Sequence, residues 1–148
     1  MVILGCDHAG YDMKEKIKEM LKSEKYQYID VSETYIESDD YTDVVENICN
    51  KMKEKDKAIM VCGTGIGSSI IANKFDGIRA AICYDEYTAR MTRFHNDANM
   101  ICLGGRTVLA DDEEKLKSIV KTFLDTEFSN EERHNRRLNK IKEIEKRR

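Results

Sequence analysis

Apolar and polar positions along this chain fall into two alternating patterns. Short apolar runs stand at 2–6 (VILGC), 27–31 (QYIDV), 58–62 (AIMVC), 79–84 (RAAICY) and 100–104 (MICLG). Between them lie longer stretches with helical spacing, near 11–24, 40–55, 66–74, 85–96 and 112–127. Met13, Ile17, Met20 and Leu21 mark one face of the first stretch, and Leu116, Ile119, Val120, Phe123 and Leu124 one face of the last. Strands alternating with helices predict parallel pairing, right-handed crossovers and helices on both sheet faces. Runs that are apolar throughout predict strands covered on both sides. The tail, 129–148, has only a thin stripe, Leu138, Ile141 and Ile144. It predicts a sixth helix, capped by Ser129 or Asn130, with Glu131 and Glu132 in its first turn. A helix with so little apolar surface rarely folds alone, so it is expected to pack on another surface, such as a second subunit.

Length and composition narrow the class. A chain of 148 residues is expected to form one domain. Apolar content of 41% and charged content of 36% suit a globular protein. A net charge of -3 gives no general pull toward nucleic acid or anionic membranes. No apolar run approaches the ~20 residues that span a bilayer. Met1-Val2-Ile3-Leu4-Gly5 enters a strand directly without a basic region, so no secretory leader is expected. The 5 cysteines, at 6, 49, 62, 83 and 102, are odd in number and lack C-x-x-C spacing. Disulfides and structural metal are not expected, and a reducing cytoplasm is.

In open parallel sheets, ligands bind beyond the carboxyl ends of the strands. Cys6-Asp7-His8-Ala9-Gly10 follows the first strand, Ser38-Asp39-Asp40-Tyr41 ends the loop after the second, and Cys62-Gly63-Thr64-Gly65-Ile66-Gly67 follows the third. Tyr84-Asp85-Glu86 follows the fourth, with His95-Asn96-Asp97 closing the next helix, and Gly104-Gly105-Arg106 follows the fifth. These polar groups are expected to gather on one edge. Asp7-His8 reads either as a helix cap with a surface histidine or as a proton-shuttling pair. The glycine loop fails as a Walker loop, because Ser68-Ser69 stands where Gly-Lys-Ser/Thr would continue. It also fails the dinucleotide fingerprint, with Ser68 or Ile70 at the last glycine position. What remains is a nest of N–H groups beside the Cys62 thiol, suited to an oxyanion. A thiol at a helix N-terminus is favoured as thiolate and can act as base or nucleophile. Cys49, Cys83 and Cys102 read as core. Arg133 and Arg137, four apart, read as a phosphate clamp or as part of a solvated basic face.

Taken in order, Gly5-Cys6-Asp7-His8-Ala9-Gly10, Asp40-Tyr41, Cys62 to Gly67, Ala72-Asn73-Lys74, His95-Asn96 and Arg133-His134…Arg137 resemble the type B ribose-5-phosphate isomerases, within the wider ribose/galactose isomerase family. The resemblance implies a Rossmann-like, three-layer α/β/α sandwich with a five-stranded parallel sheet and an extra C-terminal helix. It implies a homodimer or tetramer with active sites at the dimer interface, a sugar phosphate as substrate, and no metal or organic cofactor. The implied reaction interconverts D-ribose 5-phosphate and D-ribulose 5-phosphate through ring opening and an enediolate. By the same resemblance His95, with Asp7 and Thr64, serves ring opening, and Cys62 moves the proton between C2 and C1. The N–H groups from Gly63 through Gly65 and Ile66 to Gly67 hold the enediolate. His8, Arg106, Arg133 and Arg137 meet the phosphate, some from the neighbouring subunit, while Tyr41 flanks the sugar and Asn96 binds substrate. Some family members carry a glutamate base at the position of Ser68, so this chain falls in the cysteine branch. Thr42 replaces a usual proline, and Ser32-Glu33 a common glycine. Six-carbon phosphates such as allose 6-phosphate or galactose 6-phosphate are alternative substrates. A non-enzymatic nucleotide-binding module is the rival from another class; Asp30 would have to read its ribose.

Overall fold

Burial follows the expected alternation, but it is graded across the sheet. The structure, a computed structural model, describes residues 1–147; Arg148, the last residue of the tail, lies outside the described residues. Val2–Cys6 (β1), Lys57–Cys62 (β3) and Met100–Gly104 (β5) are buried almost end to end. Tyr28–Asp30 (β2) and Ala80–Ile82 (β4) are half-exposed and only 3 residues each. The strands run parallel in the order β2-β1-β3-β5-β4. The expectation of uniformly covered strands is thus corrected: β2 and β4 are the sheet's edges, each paired on one side only.

Side chains alternate across the central strands as a period of two requires. Val2, Leu4, Cys6, Ile59, Val61, Ile101 and Leu103 point to one face. They meet Met13, Ile17 and Leu21 of α1 (Tyr11–Ser23), Ala89 of α4 (Glu86–Asn96), and Ile119, Val120 and Phe123 of α5 (Glu113–Asp125). Ile3, Ala58, Met60, Cys62, Met100 and Cys102 point to the other. There they meet Val45 and Ile48 of α2 (Tyr41–Lys51) and Ala72 of α3 (Ile66–Ala72). The result is a three-layer sandwich in which each large side chain removed from water contributes roughly 1.5–3 kcal/mol.

Two helices are shorter than their apolar spacing suggests. Backbone at Met52 turns extended and ends α2. The Asn73 amide ends α3 by bonding the Ala80 N–H and C=O, each at 2.9 Å, which ties the helix to edge strand β4. The tail forms α6 (Glu132–Glu145), with Glu131 at its N-cap and no side-chain cap bond. The expected Ser129 or Asn130 cap is therefore corrected: the Ser129 hydroxyl instead lies 2.6 Å from His134 Nδ1 and accepts the Glu131 N–H at 3.2 Å. The helix packs on α4 of its own chain, burying His134 and Leu138, while Ile141 and Ile144 stay exposed. Among the described residues no helix is long and apolar enough to cross a membrane.

Candidate active site

Connections leave β1 and β3 toward opposite edges of the sheet, so their carboxyl ends flank the topological switch point. The chain lays three loops there and stitches them by backbone hydrogen bonds. Asp7 N–H donates to Val61 O at 3.1 Å, Gly105 N–H to Cys62 O at 2.7 Å and Arg106 N–H to Gly63 O at 2.9 Å. Asp7 is a cap: its Oδ1 accepts the Ala9 and Gly10 N–H groups at 2.9 and 3.1 Å. Burial nevertheless pushes its carboxyl above the ordinary range, against those bonds and the nearby His8. A carboxyl raised in this way suits proton transfer.

The histidine beside it has a different partner. Asp39 Oδ1 accepts the His8 backbone N–H at 2.7 Å and lies 3.0 Å from its ring Nδ1. A carboxylate only accepts, so Nδ1 carries the hydrogen and Nε2 is left for another group. The Asp7-His8 pair expected to shuttle protons is therefore His8 with Asp39. Asp39 went unnoticed as a partner because it lies 31 positions away; its signal was a long loop returning acidic residues next to Tyr41.

Cys62 ends β3 and is 4% exposed. Its sulfur accepts the Gly65 N–H at 3.2 Å and lies 3.3 Å from the buried Ser68 hydroxyl. Gly65 has φ +80, and a Cβ there would fall 2.9 Å from Cys102 O, so this turn admits glycine alone. The Gly65 N–H is turned inward to the Cys62 sulfur, and the Ile66 N–H is taken by the exposed Thr64 Oγ1 at 3.3 Å. The expectation that every N–H from Gly63 to Gly67 faces an oxyanion is corrected to that extent. The first-turn donors of α3 that remain belong to Gly67 and Ser68. Tyr41 leans over this turn: a Cβ at Gly67 would lie 2.6 Å from its ring. Arg106, whose Cδ is 3.8 Å from a Cβ built on Gly63, is exposed on the same edge.

His95, Asn96, Arg133 and Arg137 are elsewhere. Helix α4 starts beyond the carboxyl end of β4 and runs back, so its last residues lie at the amino ends of the strands. Arg79, just before β4, bonds Asn96 O and Asp97 O at 3.1 and 2.9 Å. Cys62 pairs with Gly104 and Ala58 with Met100, so the two edges stand about 13 Å apart along the strands. The His95 and His134 rings lie 4.6 Å apart, beside Phe94, and Ser129 N–H donates to Phe94 O at 3.1 Å. The start of α6 is thereby held at this opposite edge. Burial, with Arg133 nearby, pushes the His134 pKa below its ordinary value. Arg133 bonds Glu131 at 2.8 Å, and Arg137 is exposed. The expected gathering of all these groups on one edge is corrected: Asp7, His8, Tyr41, Cys62, Thr64 and Arg106 lie at the carboxyl ends of the strands, and His95, Asn96, Arg133 and Arg137 toward the amino ends.

Sequence reading also passed over Lys14. It is fully buried beneath the loop after β2, bonding Asp30 Oδ2 at 2.8 Å, Ser32 O at 2.9 Å and Glu15. Burial pushes the Asp30 carboxyl up, but bonds from Lys14, the Ser32 N–H and Lys18 outweigh it and hold it below its usual range. Ser32 Oγ in turn accepts the Cys6 N–H at 3.1 Å, joining this knot to β1. Asp30, spent on Lys14, is not available to read a ribose.

A thiol at the end of β3, a capped Asp7 at the end of β1 and a two-edged distribution of histidine and arginine define the arrangement. The sequence model described as Ribose/Galactose Isomerase matches residues 2–141. The chain belongs to the ribose/galactose isomerase family. Ribose-5-phosphate isomerase B of Escherichia coli (strain K12) is 37% identical over 149 residues, covering 99% of this chain and 97% of that one. The probable ribose-5-phosphate isomerase B of Mycoplasma genitalium is 38% identical over 149 residues, covering 98% and 95%. Among solved structures, the Clostridium thermocellum ribose-5-phosphate isomerase B superposes with a TM-score of 0.91 at 44% identity, covering 99% of this chain and 97% of that chain. The Trypanosoma brucei type B enzyme gives 0.89 at 44% identity over 97% of both. The parallel sheet and flanking helices are thus the fold of this isomerase family.

Proposed function

We propose that this protein interconverts D-ribose 5-phosphate and D-ribulose 5-phosphate. The observation that carries the reading is the Cys62 sulfur, held by the Gly65 N–H at the switch point and at the N-terminus of α3. A thiolate placed there is suited to take a proton from C2 and return it to C1. The negative charge that develops on the enediolate oxygens is met by the first-turn N–H groups of Gly67 and Ser68. Ring opening comes first and needs proton transfers at the ring oxygen and the C1 hydroxyl, assigned here to His95 with Asp7 and Thr64. Phosphate is assigned to His8, Arg106, Arg133 and Arg137. Tyr41 flanks the sugar, and Asn96 stands with His95.

Because His95 and Arg137 lie at the far edge from Cys62, this chemistry calls for two copies of the chain. Ile66 and Ile70 on α3 and Ile82 on β4 are 54%, 58% and 40% exposed, an apolar side beside the glycine loop. A two-fold axis across that side, perpendicular to the strands, inverts the second copy and brings its His95 edge to the first copy's Cys62 edge. The reading is tested by NMR with ribose 5-phosphate in D2O. Conversion with deuterium appearing at C1 or C2 is expected, with allose 6-phosphate and galactose 6-phosphate run alongside. Binding without exchange would return the chain to the non-enzymatic module.

A further inference from the structure

We infer that Ser68 is a positioning residue that steadies the Cys62 thiolate through its hydroxyl, an inference that rests on the reading of Cys62 as the base. Ser68 is fully buried, and its Oγ lies 3.3 Å from Cys62 Sγ and 3.1 Å from Gly65 O. One hydroxyl hydrogen serves two acceptors. When Cys62 is a thiol, its S–H can donate to Ser68 Oγ while the Ser68 O–H donates to Gly65 O. When Cys62 is a thiolate, it only accepts, and the Ser68 O–H turns to it. No proton passes along Ser68, which keeps its own hydrogen throughout. The C2 proton forms the new S–H bond as the C2–H bond breaks, and the hydroxyl turns back.

The turn leaves nothing buried unpaired. Gly65 O also accepts the Ser69 N–H at 3.1 Å, so it keeps a partner when the hydroxyl leaves. This matters because an orphaned buried acceptor costs more than a hydrogen bond returns. On its other side Ser68 is shared with the Cys102 thiol of β5, whose pKa burial pushes up to about 12. That S–H persists and can donate to Ser68 Oγ as Ser68 donates to the thiolate. Bonds aligned in this way reinforce one another. The Gly65 N–H supplies the second donor to sulfur. Cys49 of α2, Tyr41 over Gly67, Asp7 after β1 and Arg106 after β5 are further titratable and charged groups near the thiol, and α2 also carries Asp43, Glu46 and Lys51 and β3 begins at Lys57.

The test reads the thiol itself. Thiolate absorbance is followed against pH, with Cys62→Ala subtracted. Burial lifts Cys6, Cys83 and Cys102 to about 12 and Cys49 to about 11, and the subtraction removes their contribution. In Ser68→Ala the Cys62 midpoint should rise by about one pH unit, with kcat lowered and KM nearly unchanged. Ser68→Thr and Ser68→Val, alike in shape, should part in the same direction, with threonine keeping the wild-type midpoint. An unmoved midpoint in Ser68→Ala, or in Ser68→Val against Ser68→Thr, overturns the inference whatever the activity. A shifted midpoint with unchanged turnover upholds the hydrogen bond and removes Cys62 as base. The two failures are therefore distinct.

Discussion

Two inactive variants, Cys62→Ala and His95→Asn, should repair each other when refolded together. Each alone is expected to retain at most about 1% of activity, because losing a general acid or base costs about 100-fold or more. The strand register sets the two side chains at opposite edges of their own sheet, so under the proposed chemistry neither chain alone holds a whole site. Random reassembly of equal amounts gives about half mixed dimers, each with one site carrying both defects and one intact. The mixture should recover about one quarter of wild-type activity, well above either parent. The control pair is Cys62→Ala with His8→Ala. Both residues lie on the same edge, so no mixed dimer gains an intact site and activity should stay at the parental level. Initial rates of ribulose 5-phosphate formation provide the assay, and native mass spectrometry counts the mixed species. If Cys62→Ala/His95→Asn heterodimers are present in the expected proportion and the rate stays parental, the shared site is wrong.

The phosphate assignment predicts a split between sugars. Arg137→Ala should weaken ribose 5-phosphate about tenfold, the scale of one charge-assisted hydrogen bond, while barely touching binding of phosphate-free ribose. Equal loss for both sugars, measured by calorimetry, would make the arginine structural. The buried Lys14–Asp30 pair predicts a stability effect: Asp30→Ala should cost about 2 kcal/mol in urea unfolding, since it removes a charged hydrogen-bond partner from the buried Lys14 ammonium, which keeps Glu15 and Ser32 O. Because the folded state depresses the Asp30 carboxyl, its contribution is present above the unfolded pKa near ~3.9. It is lost as pH falls through the lower folded value, so wild type and Asp30→Asn should converge below about pH 4. A constant difference down to strong acid would refute the assignment.

What the sequence disclosed depended on range. Helical spacing and apolar runs located the strands and helices because both are local properties. The edge strands were read as covered because Tyr28-Ile29-Asp30 and Ala80-Ala81-Ile82 look no more polar than a core strand of that length. Only sheet order exposes them. Cys62, Gly65 and Asp7 were visible because each acts within a few residues of itself. Lys14 stayed hidden because it sits next to Met13 in the helix stripe, and its partners are 16 and 18 positions away. The separation of His95 from Cys62 was missed for another reason. A helix that leaves one edge of a sheet delivers its last residue to the other, so following a strand in sequence is not the same as staying at its end.

The three backbone bonds that join the loops after β1, β3 and β5 divide the labour of the molecule. The loops carrying Asp7, Cys62 and Arg106 are joined into one plate by backbone groups, whose spacing does not depend on the side chains they carry. The segment before Tyr41 is different: 33–38 is exposed, carries the bulky Tyr35 and Ile36, and is tied down through Tyr11, whose hydroxyl donates to Glu33 O at 3.2 Å and whose ring meets Tyr35 edge-on at 5.5 Å. Under the proposed function the proton-transfer groups Asp7 and Cys62 sit on the stitched loops, and the exposed side chains of 33–38 lie outside them.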